Sequence, residues 1–178
     1  MAIWEISFDS NTFQGVDLVN LRIDFHQTIR LRWFQGQPIA HEWQPIEVTF
    51  LPDDQRLRGD FIFSPGLIIF NQRALDVLHP LIAGCVEVLP LICKTATLYA
   101  MNVIKVIDCL DHAQSRFVYF SDGGIMRVEQ YVFKAGCIGD THLFKIPEQI
   151  RHRVYGSDTF KAAVERNHLQ GMLFTQIA

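Results

Sequence analysis

Ser121-Asp122-Gly123-Gly124 lies between two apolar runs, Phe117–Phe120 and Ile125–Val128. A short turn with two residues free to take positive φ, flanked by strand-forming residues, is a strong β-hairpin signal. It sets the character of the chain, because similar short apolar segments recur along it. Ile3–Phe8 alternates, and Ile46, Val48 and Phe50 alternate with Glu47 and Thr49 in the stretch 45–51. Segments 87–92, 97–101 and 103–107 read as further strands, as do 131–133, 142–146 and 172–174.

Only two stretches carry a helical period. After Asn71, Ala74, Leu75, Leu78 and Ile82 recur at three- and four-residue spacing. The Asn71 side chain can accept one of the orphan N–H groups of a first turn. Pro80 is expected to end or kink that helix, since it lacks an N–H and its ring crowds the preceding turn. After Ser157, a second capping residue, Phe160, Ala163, Val164 and His168 share one face, with Gly171 as the expected terminating residue. The expectation is an α+β fold, mostly antiparallel sheet, with two main helices near 72–83 and 158–169.

No linker or repeat divides the 178 residues, so the whole of 1–178 is expected to form one domain. A chain of this length buries about 70% of its unfolded surface and needs neither disulfide nor metal to stand. With 16 bases against 19 acids and a pI near 6.1, it lacks the basic surface that nonspecific nucleic-acid binding uses. Cys85, Cys93, Cys109 and Cys137 show no close pairing and sit among apolar neighbours, as reduced thiols do. The longest apolar stretch, 75–93, is interrupted by Asp76, His79, Pro80, Glu87 and Pro90, so no membrane span is expected. The opening Met1-Ala-Ile-Trp-Glu-Ile carries an acid where a secretion signal would be basic, and a cytoplasmic location is expected.

Catalytic patterns are sparse. On a helix, Asp108, Asp111 and His112 would share a face, and could serve a small metal-dependent hydrolase. The competing account is a polar turn at the end of a strand. His41-Glu42 opens a zinc-protease pattern that Pro45 breaks, and no nucleophile elbow or phosphate-cradling loop is present. Cys137 and His142 form a weak thiol–imidazole pair, and His152 lies in a small basic patch with Arg151 and Arg153. No catalytic residue, metal ligand or cofactor is assigned, and the chain is expected not to be an enzyme.

Three ordered blocks carry a resemblance. The first comprises Gly59-Asp60-Phe61, Leu67-Ile-Ile-Phe-Asn-Gln-Arg-Ala-Leu-Asp-Val-Leu78 and Glu87-Val-Leu-Pro-Leu91. The second is Tyr99-Ala-Met-Asn-Val-Ile-Lys-Val-Ile-Asp-Cys-Leu-Asp111 with Ser115. The third comprises His142-Leu-Phe-Lys-Ile-Pro147, Val154-Tyr155, Ser157-Asp-Thr-Phe-Lys-Ala-Ala-Val-Glu165 and Leu169-Gln-Gly-Met-Leu-Phe174. Together they resemble the eleventh numbered family of bacterial polymorphic-toxin immunity proteins, formerly a domain of unknown function. The match is best over 59–178 and weaker over 1–58. The resemblance implies a cytoplasmic inhibitor that binds a cognate secreted toxin's C-terminal toxic domain, usually encoded beside it. It brings no catalytic residue, and it gives the aspartates at 108 and 111 a mundane place in the family pattern.

Tight inhibition needs a few aromatic or arginine anchors inside a polar rim. In the first third, Trp33, Phe34, Trp43 and Arg56, with Asp53 and Asp54, are the least explained by regular packing, and of these Trp33, Trp43, Asp53, Asp54 and Arg56 are the expected partner-binding residues. A self-associating structural protein is the other non-enzymatic reading.

Overall fold

The computed structural model describes residues 2–19, 34–52, 55–64 and 66–178. Twelve strands and two α-helices stand among them. Six strands form one sheet in the order β2 (Val16–Leu18), β3 (Ile46–Phe50), β6 (Val86–Ile92), β7 (Leu98–Val103), β5 (Leu67–Asn71), β4 (Phe61–Ser64). Only its β3–β6 pair is parallel. Four strands form a second, antiparallel sheet in the order β10 (Leu143–Phe144), β11 (Tyr155–Ser157), β1 (Ile3–Phe8), β12 (Met172–Gln176). The hairpin of β8 (Arg116–Tyr119) and β9 (Ile125–Gln130) is a separate ribbon. The α+β expectation holds.

Period two sorts the six-stranded sheet into two apolar faces. Leu67 and Ile69, Leu89 and Leu91, and Leu98 and Ala100 pack with Val16, Ile46 and Val48 on one side. Phe70, Val86, Met101 and Val103 face the other, where both helices and Ile6 of β1 cover them. Helix α1 (Gln72–Ile82) buries Ala74, Leu78 and Ile82, and α2 (Asp158–Arg166) buries Phe160 and Val164. A third cluster joins Ile3, Phe144 and Tyr155 to Phe117 and Val128 of the hairpin.

The capping expectations hold: Asn71 accepts from the Ala74 N–H at 2.8 Å and Ser157 from the Phe160 N–H at 3.2 Å. Three helical details sharpen the expectation. Of ending or kinking α1, Pro80 does not do the first: the helix runs on to Ile82, the proline giving up only its own N–H bond to the preceding turn. Helix α2 stops at Arg166, so His168 (φ 52°) leaves the buried face and is exposed. Gly171 lies beyond that end and serves a close approach instead. At φ 104°, an added Cβ would come within 2.5 Å of the Phe61 carbonyl oxygen.

Strand boundaries differ as well. Segment 103–107 is no strand beyond Val103, retaining only a bridge from Val106 to Lys145, and 131–133 reduces to a bridge between Phe133 and Leu110. The hairpin turn uses one positive φ, at Gly123, where two residues were expected to be free for it. The Gly124 N–H instead bonds to the Asp122 carboxylate at 2.9 Å, closing the turn from the side chain.

Candidate partner-binding surface

The β8–β9 ribbon is anchored at one end and bare at the other. Phe117 and Val128 join the third core cluster, and the Phe117 ring lies 5.0 Å from the His112 ring. Toward the turn the apolar side chains lose their cover: Tyr119 is 56% exposed, Phe120 51% and Met126 40%. Arg127 pairs with Glu129 at 2.8 Å along β9, and at the anchored end, away from the turn, Arg116 donates to the Gln130 side chain at 3.2 Å. Large apolar groups cost free energy when left in water, so three of them exposed near one hairpin turn make that tip a candidate interaction surface. Aromatic anchors within a polar surround are also the composition of binding hot spots.

Of the residues expected to bind a partner, Trp33, Asp53 and Asp54 lie outside the described residues. Trp43 is half-buried; its indole N–H donates to the Pro90 carbonyl at 3.0 Å and its ring meets Phe34 edge-on at 6.2 Å. Arg56, also half-buried, donates to the Ser10 carbonyl at 2.7 Å. Both side chains use polar groups to hold separate segments of the fold together. Phe117 and Phe120 bound the same apolar run, and such a neighbourhood by itself suggests core for both. The signal for exposure was the turn itself, since residues beside a hairpin tip run beyond the layer that covers the ribbon's base.

The Asp108, Asp111 and His112 side chains turn to different partners. Asp108 pairs with Lys134 at 3.1 Å, and His112 pairs with Glu148. Asp111 accepts the Ala113 and Gln114 backbone N–H groups at 3.0 and 3.2 Å and the Gln114 amide at 2.6 Å. The Gln114 side-chain bond leads these contacts in holding its pKa below the usual carboxylate value. This is a polar turn beside the bridge at Leu110, with no helix to align the three groups. Among the described residues no three His, Cys, Asp or Glu side chains converge on a metal position. Cys137 points its thiol at the Cys109 carbonyl at 3.6 Å, while His142 bonds the Ser157 hydroxyl at 3.0 Å, so thiol and imidazole serve different neighbours.

One buried charge escaped sequence reasoning. Lys145 occupies the single cationic position of an otherwise apolar run, Leu143-Phe144-Lys145-Ile146. That interruption was the available signal, and the side chain is buried.

Comparison with known proteins adds one finding. The profile of the immunity protein family (Imm11) matches residues 20–178. It reaches well before Gly59, so most of the first third belongs to the shared pattern. No curated protein matches the chain.

Proposed function

The chain belongs to the immunity protein family (Imm11), and on that premise we propose that it binds a cognate bacterial toxin domain and neutralises it by occupying its surface. It works in the cytoplasm as one domain spanning 1–178, and it acts by binding, without catalysis or cofactor. The exposure of Tyr119, Phe120 and Met126 at the tip of the β8–β9 ribbon supports the tip as the contact. Desolvating them against a toxin surface would supply the affinity. The charged residues nearer the turn (Asp122, Arg127 and Glu129) would steer association and discriminate among related toxins.

The first-third residues enter this proposal as a second surface. Trp43 and Arg56 are committed to Pro90 and Ser10, so their truncation would disturb the fold as well as any interface. The proposal is tested by titrating the purified chain into the toxin domain encoded by the neighbouring gene. Saturable binding with loss of toxic activity is expected. A folded chain that leaves the toxin active at any ratio would refute it.

A further inference from the structure

A cavity of about 320 Å³ opens between β1, the β4–β5 turn, β7 and residues 145–154. Ile6, Phe8, Phe63, Met101 and Val103 make much of its wall apolar. Two polar groups interrupt that wall. Lys145 is 5% exposed, and its ammonium donates to the Phe34 carbonyl at 2.6 Å and the Ile150 carbonyl at 2.8 Å. An ammonium has three N–H groups, and among the described residues the third finds no acceptor and no carboxylate pairs with the charge. Burial without a compensating anion draws its pKa down to about 8. Ser64 is 3% exposed, and its hydroxyl has no hydrogen-bond partner. Buried polar groups are nearly always paired, and buried charges nearly always compensated. Arg151 and Arg153 add cationic side chains to the same cavity and His152 adds an imidazole, Arg153 being paired with Glu5 at 2.5 Å.

We propose that this cavity is a binding site for a small amphipathic carboxylate, whose acid group is held by Lys145 and whose apolar body lies against Phe8, Phe63 and Met101. Ser64 supplies a second polar contact. The uncompensated ammonium and Arg151 select an anion, and the apolar wall selects a hydrocarbon chain over an inorganic ion. A volume just inside the range of about 300–1,000 Å³ typical of small-molecule pockets favours a free ligand over a docked protein segment. None of Tyr119, Phe120 and Met126 lines the cavity, so the proposal stands apart from toxin binding.

The test uses octanoate as the probe, with octanol and octylamine as neutral and cationic matches, titrated into the full chain by calorimetry and by amide NMR. Octanoate is expected to bind saturably, at least about tenfold more tightly than either control. Its amide shifts should centre on Ile6–Phe8, Ser64, Gly66–Ile68 and Lys145. Near pH 9, where Lys145 is mostly neutral, its binding should take up a proton; near pH 6.5 it should not. Ser64→Ala should weaken octanoate severalfold, and Lys145→Met should abolish the preference over octanol. Should Lys145→Met fail to fold, the wild-type discrimination, shift map and proton uptake decide the matter. Absence of saturable binding at millimolar octanoate, equal binding of octanol or octylamine, shifts centred elsewhere, or no proton uptake near pH 9 would each overturn it.

Discussion

Asp60 and Gln170 stand 110 residues apart in the chain, and a carboxylate oxygen of Asp60 accepts the Gln170 backbone N–H at 2.9 Å. The same oxygen accepts from Arg73 at 2.8 Å, and the other oxygen accepts from the Asn71 amide at 3.0 Å. Arg73 reaches on to the Asn167 carbonyl at 2.6 Å. One buried carboxylate thus ties β4 to the start of α1 and to the segment between α2 and β12. Gly59-Asp60-Phe61, Asn71-Gln-Arg73 and Leu169-Gln-Gly171, three fragments of the family resemblance, meet at this point. Those motifs are at least in part signatures of assembly.

Asp60→Ala should therefore destabilise the fold by about 1–3 kcal/mol, since it leaves part-buried donors without their acceptor. Denaturant midpoints of the two proteins measure this. A change under about 0.5 kcal/mol would show that the carboxylate is replaceable by water.

Phe160→Ala should cost about 3–5 kcal/mol, as truncation of a large buried aromatic does. Phe160 is completely buried on α2, and its ring meets Phe174 of β12 at 6.2 Å. Thermal and denaturant unfolding would read the loss, and a change below about 1 kcal/mol would contradict the packing described.

Lys145 makes a pH prediction with a definite sign. Below pH 8 the lysine is charged in both the folded and the unfolded chain, and burying that charge costs stability. As pH rises through about 8 the folded chain releases the proton, while the unfolded chain keeps it until near 10.5. The lysine's contribution to stability therefore rises across that window, by up to about 3 kcal/mol. Cys109, pushed up to about 12 chiefly by burial and next by Cys137, acts in the opposite sense above its ordinary value of 9.0. Subtracting a Lys145→Met reference, measured by denaturation between about pH 7.5 and pH 9, isolates the lysine. The difference should move in favour of wild type as pH rises, and a flat difference would contradict the burial.

The polar turn at 108–112 makes the opposite kind of prediction. Replacing Asp108 and Asp111 by Asn and His112 by Gln should leave toxin neutralisation intact in protein that still folds, because these groups face Lys134, Gln114 and Glu148. Abolished neutralisation by a folded triple variant would restore the cluster as a functional site.

Much of this fold was readable where pattern and position agree. Asn71 and Ser157 announce their helices, and the Ser121–Gly124 turn announces its hairpin, because capping and turn chemistry are local. Strands β4 and β11 were not readable. Phe61-Ile62-Phe63-Ser64 and Tyr155-Gly156-Ser157 are short and lack the alternation a half-buried strand shows; each is defined by partners far along the chain. The surface was less legible still. Phe120 and Phe160 look alike in sequence, and only the placement of α2 over the sheet and of the ribbon away from it separates exposed from buried.

The central claim is that this chain neutralises its toxin through the tip of the β8–β9 ribbon. Its most direct measurement is the affinity of the neighbouring gene's toxin domain for wild type and for Tyr119→Ala/Phe120→Ala, with the unfolding free energy of each recorded alongside. The account predicts an affinity loss of about 2 kcal/mol or more, a factor near 30, with each exposed substitution costing no more than about 0.5 kcal/mol in stability. Unchanged affinity in the folded double variant, with a clear loss in a folded Trp43→Ala, would contradict it and move the interface to the first third of the chain.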